Sequence, residues 1–392
     1  KMRPSGSRFN RSAKHDHYRI KCPGSTLDAA EGAEDFIVSA QAPCGITAGT
    51  RYPVPRATGD HVTWRKPDMN VLGIDIGYSN LKLAFGHPDE EPTVRLRPAG
   101  AAPADRLGER IGASGEEDYL RVLVDGQPFV AGLSPDRAEL WSRELHEDYS
   151  STASYRALFH AGLLLAEGDQ VGLVVTGLPV NQYLDPACRN RLADQMRGEH
   201  QITPRRKVTV SQVKVVPQPV GGFVDYVYSL PDASEIEDSR VLVVDPGFFS
   251  VDWVLISQGE LRRQSCGTSL EASSVILDEA VRLIAQDFGG SVGRERLEHA
   301  LRQGQAQVRL FGERVQVAPY LKKAADKVGP IVIARLRESL RKENASADLV
   351  LLVGGGAGFF APALKDAFPQ LKVSTPERPV FANVRGFWRM GA

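Results

Sequence analysis

Two stretches of this chain follow the same pattern, and that repetition restricts what it can fold into. Val71–Phe85, VLGIDIGYSNLKLAF, begins with a nearly unbroken apolar run of Val71, Leu72, Ile74 and Ile76, interrupted only by Gly73 and Asp75. Gly77 follows, and then Leu81, Leu83 and Phe85 alternate with polar or small residues that include Lys82. About 170 residues later, Val241–Ser257, VLVVDPGFFSVDWVLIS, repeats the arrangement with Asp245 and Gly247. A short continuous apolar run predicts a strand buried on both faces. A glycine just after it removes the Cβ where the backbone turns or approaches a ligand. Each stretch therefore reads as two strands joined by a tight turn, with an acid at the end of the first. Such turns can aim successive backbone N–H groups at an anion. A third stretch, Leu349–Leu364, LVLLVGGGAGFFAPAL, reads as a strand feeding a triple-glycine turn and then a helix. One D-x-G hairpin is common; two of them followed by a glycine-rich strand-to-helix turn is a far more specific combination.

The remaining chain supplies strands and helices in alternation. Leu120–Leu133 predicts a strand–turn–strand with Asp125-Gly126 at its turn, after a polar, Gly/Pro/Ala-rich stretch from His87 to Gly115. Thr152–Glu167 places Tyr155, Leu158, Phe159 and Leu163 on one helical face, with His160 beside it as a satisfied or exposed histidine. Val171–Val175 is a buried strand ending in Thr176-Gly177-Leu178-Pro179, and Asp185-Pro186 is an N-cap and first-turn signal for a helix to about Arg197. Val208–Val216 alternates as a strand and ends at Pro217-Gln218-Pro219, ahead of a helix through Tyr228; Ser229–Ser239 reads as a link between lobes. Helices follow at Leu270–Ala285 and within Gly289–Gly304, then a hairpin at Val308–Val317. Pro319–Lys342 is a long amphipathic helix that Gly329-Pro330 should kink or divide. Leu371–Thr375 is a last strand and Phe381–Met390 a last helix. Strands alternating with helices around two similar sheets indicate an α/β fold with a cleft between lobes, and ligands in such sheets bind at the carboxyl ends of strands, where Asp75 and Asp245 sit.

At 392 residues the chain exceeds the ~250–300 at which one core stops growing, so two lobes are expected. Lys plus Arg and Asp plus Glu are 48 each, which gives no sign of general affinity for nucleic acid or membranes. Four separated cysteines form no CxxC pair, and no Walker A, HExxH or GxSxG motif is present. With no long apolar span, a cytoplasmic location is expected. Residues 1–68 are rich in Lys, Arg, Ser, Gly and Pro with little periodicity, and are expected to be a disordered or non-native extension ahead of Met69. The His15-Asp16-His17 triplet lacks a third ligand at a useful spacing.

Together the three glycine-bearing stretches resemble the phosphate-1, phosphate-2 and adenosine motifs of the actin–Hsp70–sugar-kinase ATPases. Thr176–Leu184, TGLPVNQYL, and Phe381–Phe387, FANVRGF, resemble the ParM/StbA-type plasmid-segregation actins. The resemblance covers Met69 to the C-terminus. It implies an actin-like fold of two duplicated ribonuclease-H-like lobes flanking a nucleotide cleft: lobe I over 69–238 with a small insertion at about 87–150, lobe II over 239–378, and a helix at 379–392 returning to lobe I. It implies ATP, with GTP left open, and Mg2+ held through water by Asp75 and Asp245, since magnesium prefers oxygen ligands and keeps several waters.

The resemblance also assigns residues. Gly77, Tyr78, Ser79 and Asn80 and then Gly247, Phe248, Phe249 and Ser250 would form the phosphate-clasping turns. Lys82 would contact phosphate, and Gly354, Gly355 and Gly356 would let the backbone approach the adenosine. Gln218 would orient the attacking water, which a neutral amide can do although it cannot take the proton. Asp252 is a candidate second cleft acid, and Glu271 resembles helix residues near the nucleoside. The partners implied are further copies of the chain in a filament and a DNA-bound adaptor, with neither direct sequence-specific DNA binding nor a membrane. Pro246-Gly247-Phe248-Phe249-Ser250 departs from the small or hydroxylated residues of many relatives, which leaves fast turnover less secure than binding. Two other readings stand beside the filament ATPase: a small-molecule kinase or phosphotransferase, and a nucleotide-binding regulatory module with little turnover.

Overall fold

The computed structural model describes residues 70–107, 118–134, 137, 147–290, 292–342 and 346–392. The expected extension over 1–68, the Met69 start and the His15-Asp16-His17 triplet lie outside these residues, as does part of the expected insertion.

Lobe I opens with strands β1 (Val71–Ile76), β2 (Asn80–Gly86) and β3 (Thr93–Pro98), followed by β4 (Gly100–Pro103), β5 (Leu120–Val124) and β6 (Gln127–Leu133). Helix α1 (Ala153–Leu165) and strand β7 (Gln170–Leu178) come next, then the short helix α2 (Val180–Leu184) and α3 (Pro186–Met196). Strands β8 (Gly198–Thr203) and β9 (Arg206–Pro217) and helix α4 (Gln218–Ser229) complete the lobe. The main sheet runs β3-β2-β1-β7-β9-β8, and β4-β6-β5 form a separate three-stranded sheet. Asp185 follows its sequence signal, accepting from Ala187 N ahead of Pro186, and Thr152 accepts from Tyr155 N at the start of α1.

The link over 229–239 contains a short helix, α5 (Ser234–Glu237), and lobe II then comprises β10 (Arg240–Pro246), β11 (Val251–Ser257), β12 (Glu260–Leu261), β13 (Gly267–Ser269), α6 (Ser273–Phe288) and α7 (Arg294–Arg302). It continues with β14 (Gln307–Leu310), β15 (Glu313–Gln316), α8 (Ala318–Lys342), β16 (Leu349–Leu352), α9 (Ala357–Ala367) and β17 (Lys372–Ser374). Its main sheet runs β12-β11-β10-β16-β17, with β13 on β11. Helix α8 continues without interruption through Pro330, so the proline does not divide it.

The two lobes share one construction. In lobe I, β1 and β2 are antiparallel with Asp75 opposite Lys82, and β1 is parallel to β7. In lobe II, β10 and β11 are antiparallel with Asp245 opposite Asp252, and β10 is parallel to β16. β1 is buried along its whole length, and β10 from Val241 to Pro246. Ile74, Leu81 and Leu83 have no exposed surface, and each such side chain contributes about 1.5–3 kcal/mol on burial.

The last helix, α10 (Ala382–Arg389), packs across α4 and β1. Phe381, Val384, Phe387 and Trp388 form a core with Val71, Ala84, Val175 and Val216. The fit depends on missing side chains, since a Cβ on Gly386 would lie 1.8 Å from Gly221 O and one on Gly73 would lie 2.4 Å from Val384 O. Arg385 grips Asp225 of α4 with Nε to Oδ1 at 2.8 Å and Nη2 to Oδ2 at 2.5 Å. Helix α4 in turn carries Val220, Phe223, Val224 and Val227 into a core with Val241, Val243, Val254 and Leu351 of lobe II. The base of the cleft is therefore a continuous apolar joint.

His160 is buried on α1, with Nδ1 2.5 Å from Leu123 O and its ring against those of Phe159 and His200. Burial pulls its pKa down to about 4, so it is a satisfied packing residue.

Candidate functional site

A cleft of about 470 Å3 lies between the lobes at the ends of β1 and β10. At its floor Asp75, 1% exposed, accepts from Lys82 Nζ at 2.6 Å on Oδ2 and from Gln218 Nε2 at 3.1 Å on Oδ1. Asp245 accepts from Asn383 Nδ2 at 2.7 Å. Burial pushes the Asp245 carboxyl up to about 7, against the opposing pull of Lys82 and the Asn383 hydrogen bond. Burial alone would lower the Lys82 pKa, but the carboxylates of Asp75 and Asp245 outweigh it and hold the ammonium above its ordinary value. Two carboxylates and one ammonium, one acid from each lobe, thus share a low-dielectric floor where each charge acts strongly.

The turns above that floor close in the same way. Gly77 N–H donates to Asn80 O at 3.0 Å and Gly247 N–H to Ser250 O at 2.8 Å. These amides lock the turns, which leaves Tyr78, Ser79, Phe248 and Phe249 at the tips, all lining the cleft. The Ser250 hydroxyl is committed to Asp252 Oδ2 at 2.6 Å. From the third motif, Gly355 and Gly356 line the cleft, and Gly356 is the N-cap of α9. Gly354 does not line it. With φ +79° it sits behind Asp245, where a Cβ would lie 2.0 Å from Oδ1, so its lack of a side chain makes room for the carboxylate.

The walls fit a nucleotide. Asn80 Oδ1 and Ser273 Oγ line the cleft as buried polar atoms with no hydrogen-bond partner, and the open N-terminus of α9 favours negative charge. Among the described residues no group of three or more His, Cys, Asp or Glu could form a metal cage. Asp75 and Asp245 suit instead a magnesium ion that retains water and takes phosphate oxygens.

Residues 73–221 match the family model described as the N-terminal domain of actin-like proteins. Solved structures extend the likeness over both lobes. Ta0583, an archaeal actin homolog in complex with ADP, is 17% identical, with 82% of this chain and 99% of that one aligned at a TM-score of 0.65. A 15-stranded ParM filament from Clostridium botulinum is 16% identical, covering 83% and 99% at 0.62. Bacillus thuringiensis ParM with AMPPNP is 17% identical, covering 82% and 98% at 0.55. The chain has the actin-like fold. Among curated protein sequences none matches it.

The two motifs that resemble ParM-type sequences have physical roles in this actin-like chain. In Thr176–Leu184, Val180 N donates to Asp252 Oδ1 at 2.7 Å and Asn181 N to Thr268 Oγ1 at 3.2 Å, tying α2 of lobe I to lobe II. In Phe381–Phe387, Asn383 holds Asp245, Arg385 holds Asp225 and Gly386 permits the contact with α4.

Two sequence expectations are corrected. Asp252 is not a cleft acid: its Oδ1 accepts from Val180 N of lobe I and from Thr268 Oγ1 at 2.6 Å, which joins the lobes, while its Oδ2 accepts from Ser250 Oγ within lobe II. Glu271 does not line the cleft either; it pairs with Arg335 of α8 at 2.8 Å. Glu298 and Arg302 were not foreseen. They line the cleft from α7, where Glu298 Oε1 accepts from Arg302 Nη2 at 2.7 Å and from Ser79 Oγ at 2.5 Å across the cleft. Their i,i+4 spacing is that of an ordinary solvated helix pair; the signal available was that Glu298 sits between the core residues Leu297 and Ala300.

Proposed function

We propose that this chain binds ATP with Mg2+ in the cleft, hydrolyses it, and assembles head-to-tail into filaments that separate plasmid copies through a DNA-bound adaptor. The observation that carries the reading is the floor of the cleft: Asp75 and Asp245 from equivalent hairpins, with the Lys82 ammonium between their fields. Asp75 and Asp245 would hold the metal, which supplies neutralisation of phosphate charge when bound. Lys82 adds a positive charge for the phosphates once a cation competes for Asp75. The Gln218 amide is fixed by Asp75 at the first turn of α4, where it can orient a water without accepting its proton. Assembly is supported by the ParM filament of the same fold and by the rule that heterologous contacts which do not close give open polymers. GTP would meet the same phosphate site.

Sedimentation of the purified chain with and without ATP tests assembly, and Gln218→Ala tests the link to hydrolysis. This variant should slow phosphate release by roughly 10-fold or more, the scale of lost positioning, and its pellets should outlast those of the unsubstituted protein. Normal phosphate release with Ala at 218 would mean that another group holds the water. A reading as a low-turnover nucleotide-binding module is favoured by Phe248 and Phe249 in the second turn and by Pro246, which has no N–H to offer; in that case phosphate release is negligible before any substitution.

A further inference from the structure

The Ser79 hydroxyl, at the tip of the first turn, is already engaged. It accepts from Asn80 Nδ2 at 3.3 Å and donates to Glu298 Oε1 at 2.5 Å, the length of a charge-assisted bond. A serine hydroxyl carries a single proton, so while Glu298 holds it Ser79 has none to offer a phosphate oxygen. The acceptor reaches across from the other lobe. Glu298 belongs to α7, is 7% exposed, and lines the same cavity as Asp75, Lys82 and Asp245. Its own counter-charge is Arg302, whose Nη2 donates to the same Oε1 at 2.7 Å. These two residues are one turn apart on α7, so Glu298 can release Ser79 and stay paired. A carboxylate shares with a phosphate group its negative charge and its acceptor oxygens. On the Ser79 hydroxyl, Glu298 takes the place that this turn would give to a phosphate oxygen.

We propose that Glu298 is an internal competitor for nucleotide phosphate: its carboxylate occupies the Ser79 hydroxyl, and an arriving phosphate must displace it. This rests on the cleft being a nucleotide site. Two anions cannot share one proton, and in the low dielectric of the cleft their charges repel strongly. The contact therefore lowers affinity for ligands that bring phosphate to the first turn and leaves a ligand without phosphate unaffected. Exchange of one hydrogen bond corresponds to about 3- to 10-fold in an equilibrium constant.

The test is calorimetric titration of ADP with Mg2+, and separately of adenosine, into the full chain and into Glu298→Gln and Glu298→Ala. Circular dichroism verifies that each variant is folded. Glu298→Gln keeps the length of the side chain and an acceptor oxygen but removes the charge, whereas Glu298→Ala removes the acceptor as well. ADP affinity should rise by about 3- to 10-fold in both variants, with adenosine affinity unchanged. An unchanged or lower ADP affinity in folded Glu298→Gln would overturn the competitor and leave the nucleotide site standing. A rise shared equally by adenosine would overturn it as well, because adenosine brings no phosphate to the Ser79 hydroxyl. Failure of ADP to bind any folded form, the unsubstituted chain included, would overturn the nucleotide site and the competitor with it.

Discussion

Asp245→Ala should abolish magnesium-dependent turnover while weakening nucleotide binding less. Asp245 is one of two carboxylates that can support the metal, whereas the turns and the N-terminus of α9 remain in place without it. Losing one preorganised electrostatic group costs on the order of 2–4 kcal/mol of transition-state stabilisation, or about 30- to 1000-fold in rate. The same substitution leaves Asn383 Nδ2 without its acceptor, so a loss of stability could be mistaken for a loss of chemistry. Asp245→Asn separates the two, since it keeps an acceptor oxygen for Asn383 and removes the negative charge. Phosphate release should be lost in both variants, while the melting temperature of Asp245→Asn stays near that of the unsubstituted protein. Unchanged phosphate release in Asp245→Ala would remove the second hairpin from the active site.

Gly386→Ala should be strongly destabilising although it adds one methyl group. The new Cβ would lie 1.8 Å from Gly221 O, and a Cβ on Gly221 would in turn lie 2.4 Å from Asn383 O, so neither backbone has room to yield. Overpacking typically costs ~1–3 kcal/mol and more where backbone must move, and here α10 must lift from α4 and β1 together. A cost of about 3 kcal/mol or more would lower the melting temperature by roughly 4 °C or more. Because α10 also carries Asn383, nucleotide binding should weaken in parallel. Differential scanning calorimetry of Gly386→Ala reads the first effect directly, and a melting temperature lowered by no more than about 1 °C (roughly a cost of under 1 kcal/mol) would show that the helix is not packed as described.

The elements legible in the sequence were those whose burial leaves a pattern. Strands β1, β10 and β16 are central, covered on both faces, and so read as apolar runs; α1 was legible from its apolar face, and α3 announced its start through Asp185. The two edge strands of the first sheet were not legible. β3 alternates Val94 and Leu96 with Arg95 and Arg97, and β8, Gly198–Thr203, is mostly polar, because an edge strand pairs on one side and often carries charge there. At the site, the acids and glycines of the two turns were legible because strand-ending carboxylates and turn glycines are local features. Asp252 misled because its register opposite Asp245 matches that of Lys82 opposite Asp75, while its partners Val180 and Thr268 come from distant segments that only the tertiary fold assembles. Glu298 was hidden for the same reason: its acceptor role toward Ser79 spans both lobes.

The central claim is that two equivalent hairpins and a glycine-rich helix start enclose one magnesium–nucleotide site. Titration of ATP into the full chain by calorimetry, first with Mg2+ and then with a chelator in its place, tests it most directly. Saturable binding at one site per chain is expected, weaker when the metal is withdrawn and weaker again in Lys82→Ala. Absence of ATP binding to the folded chain, or binding indifferent to both the metal and Lys82, would contradict it.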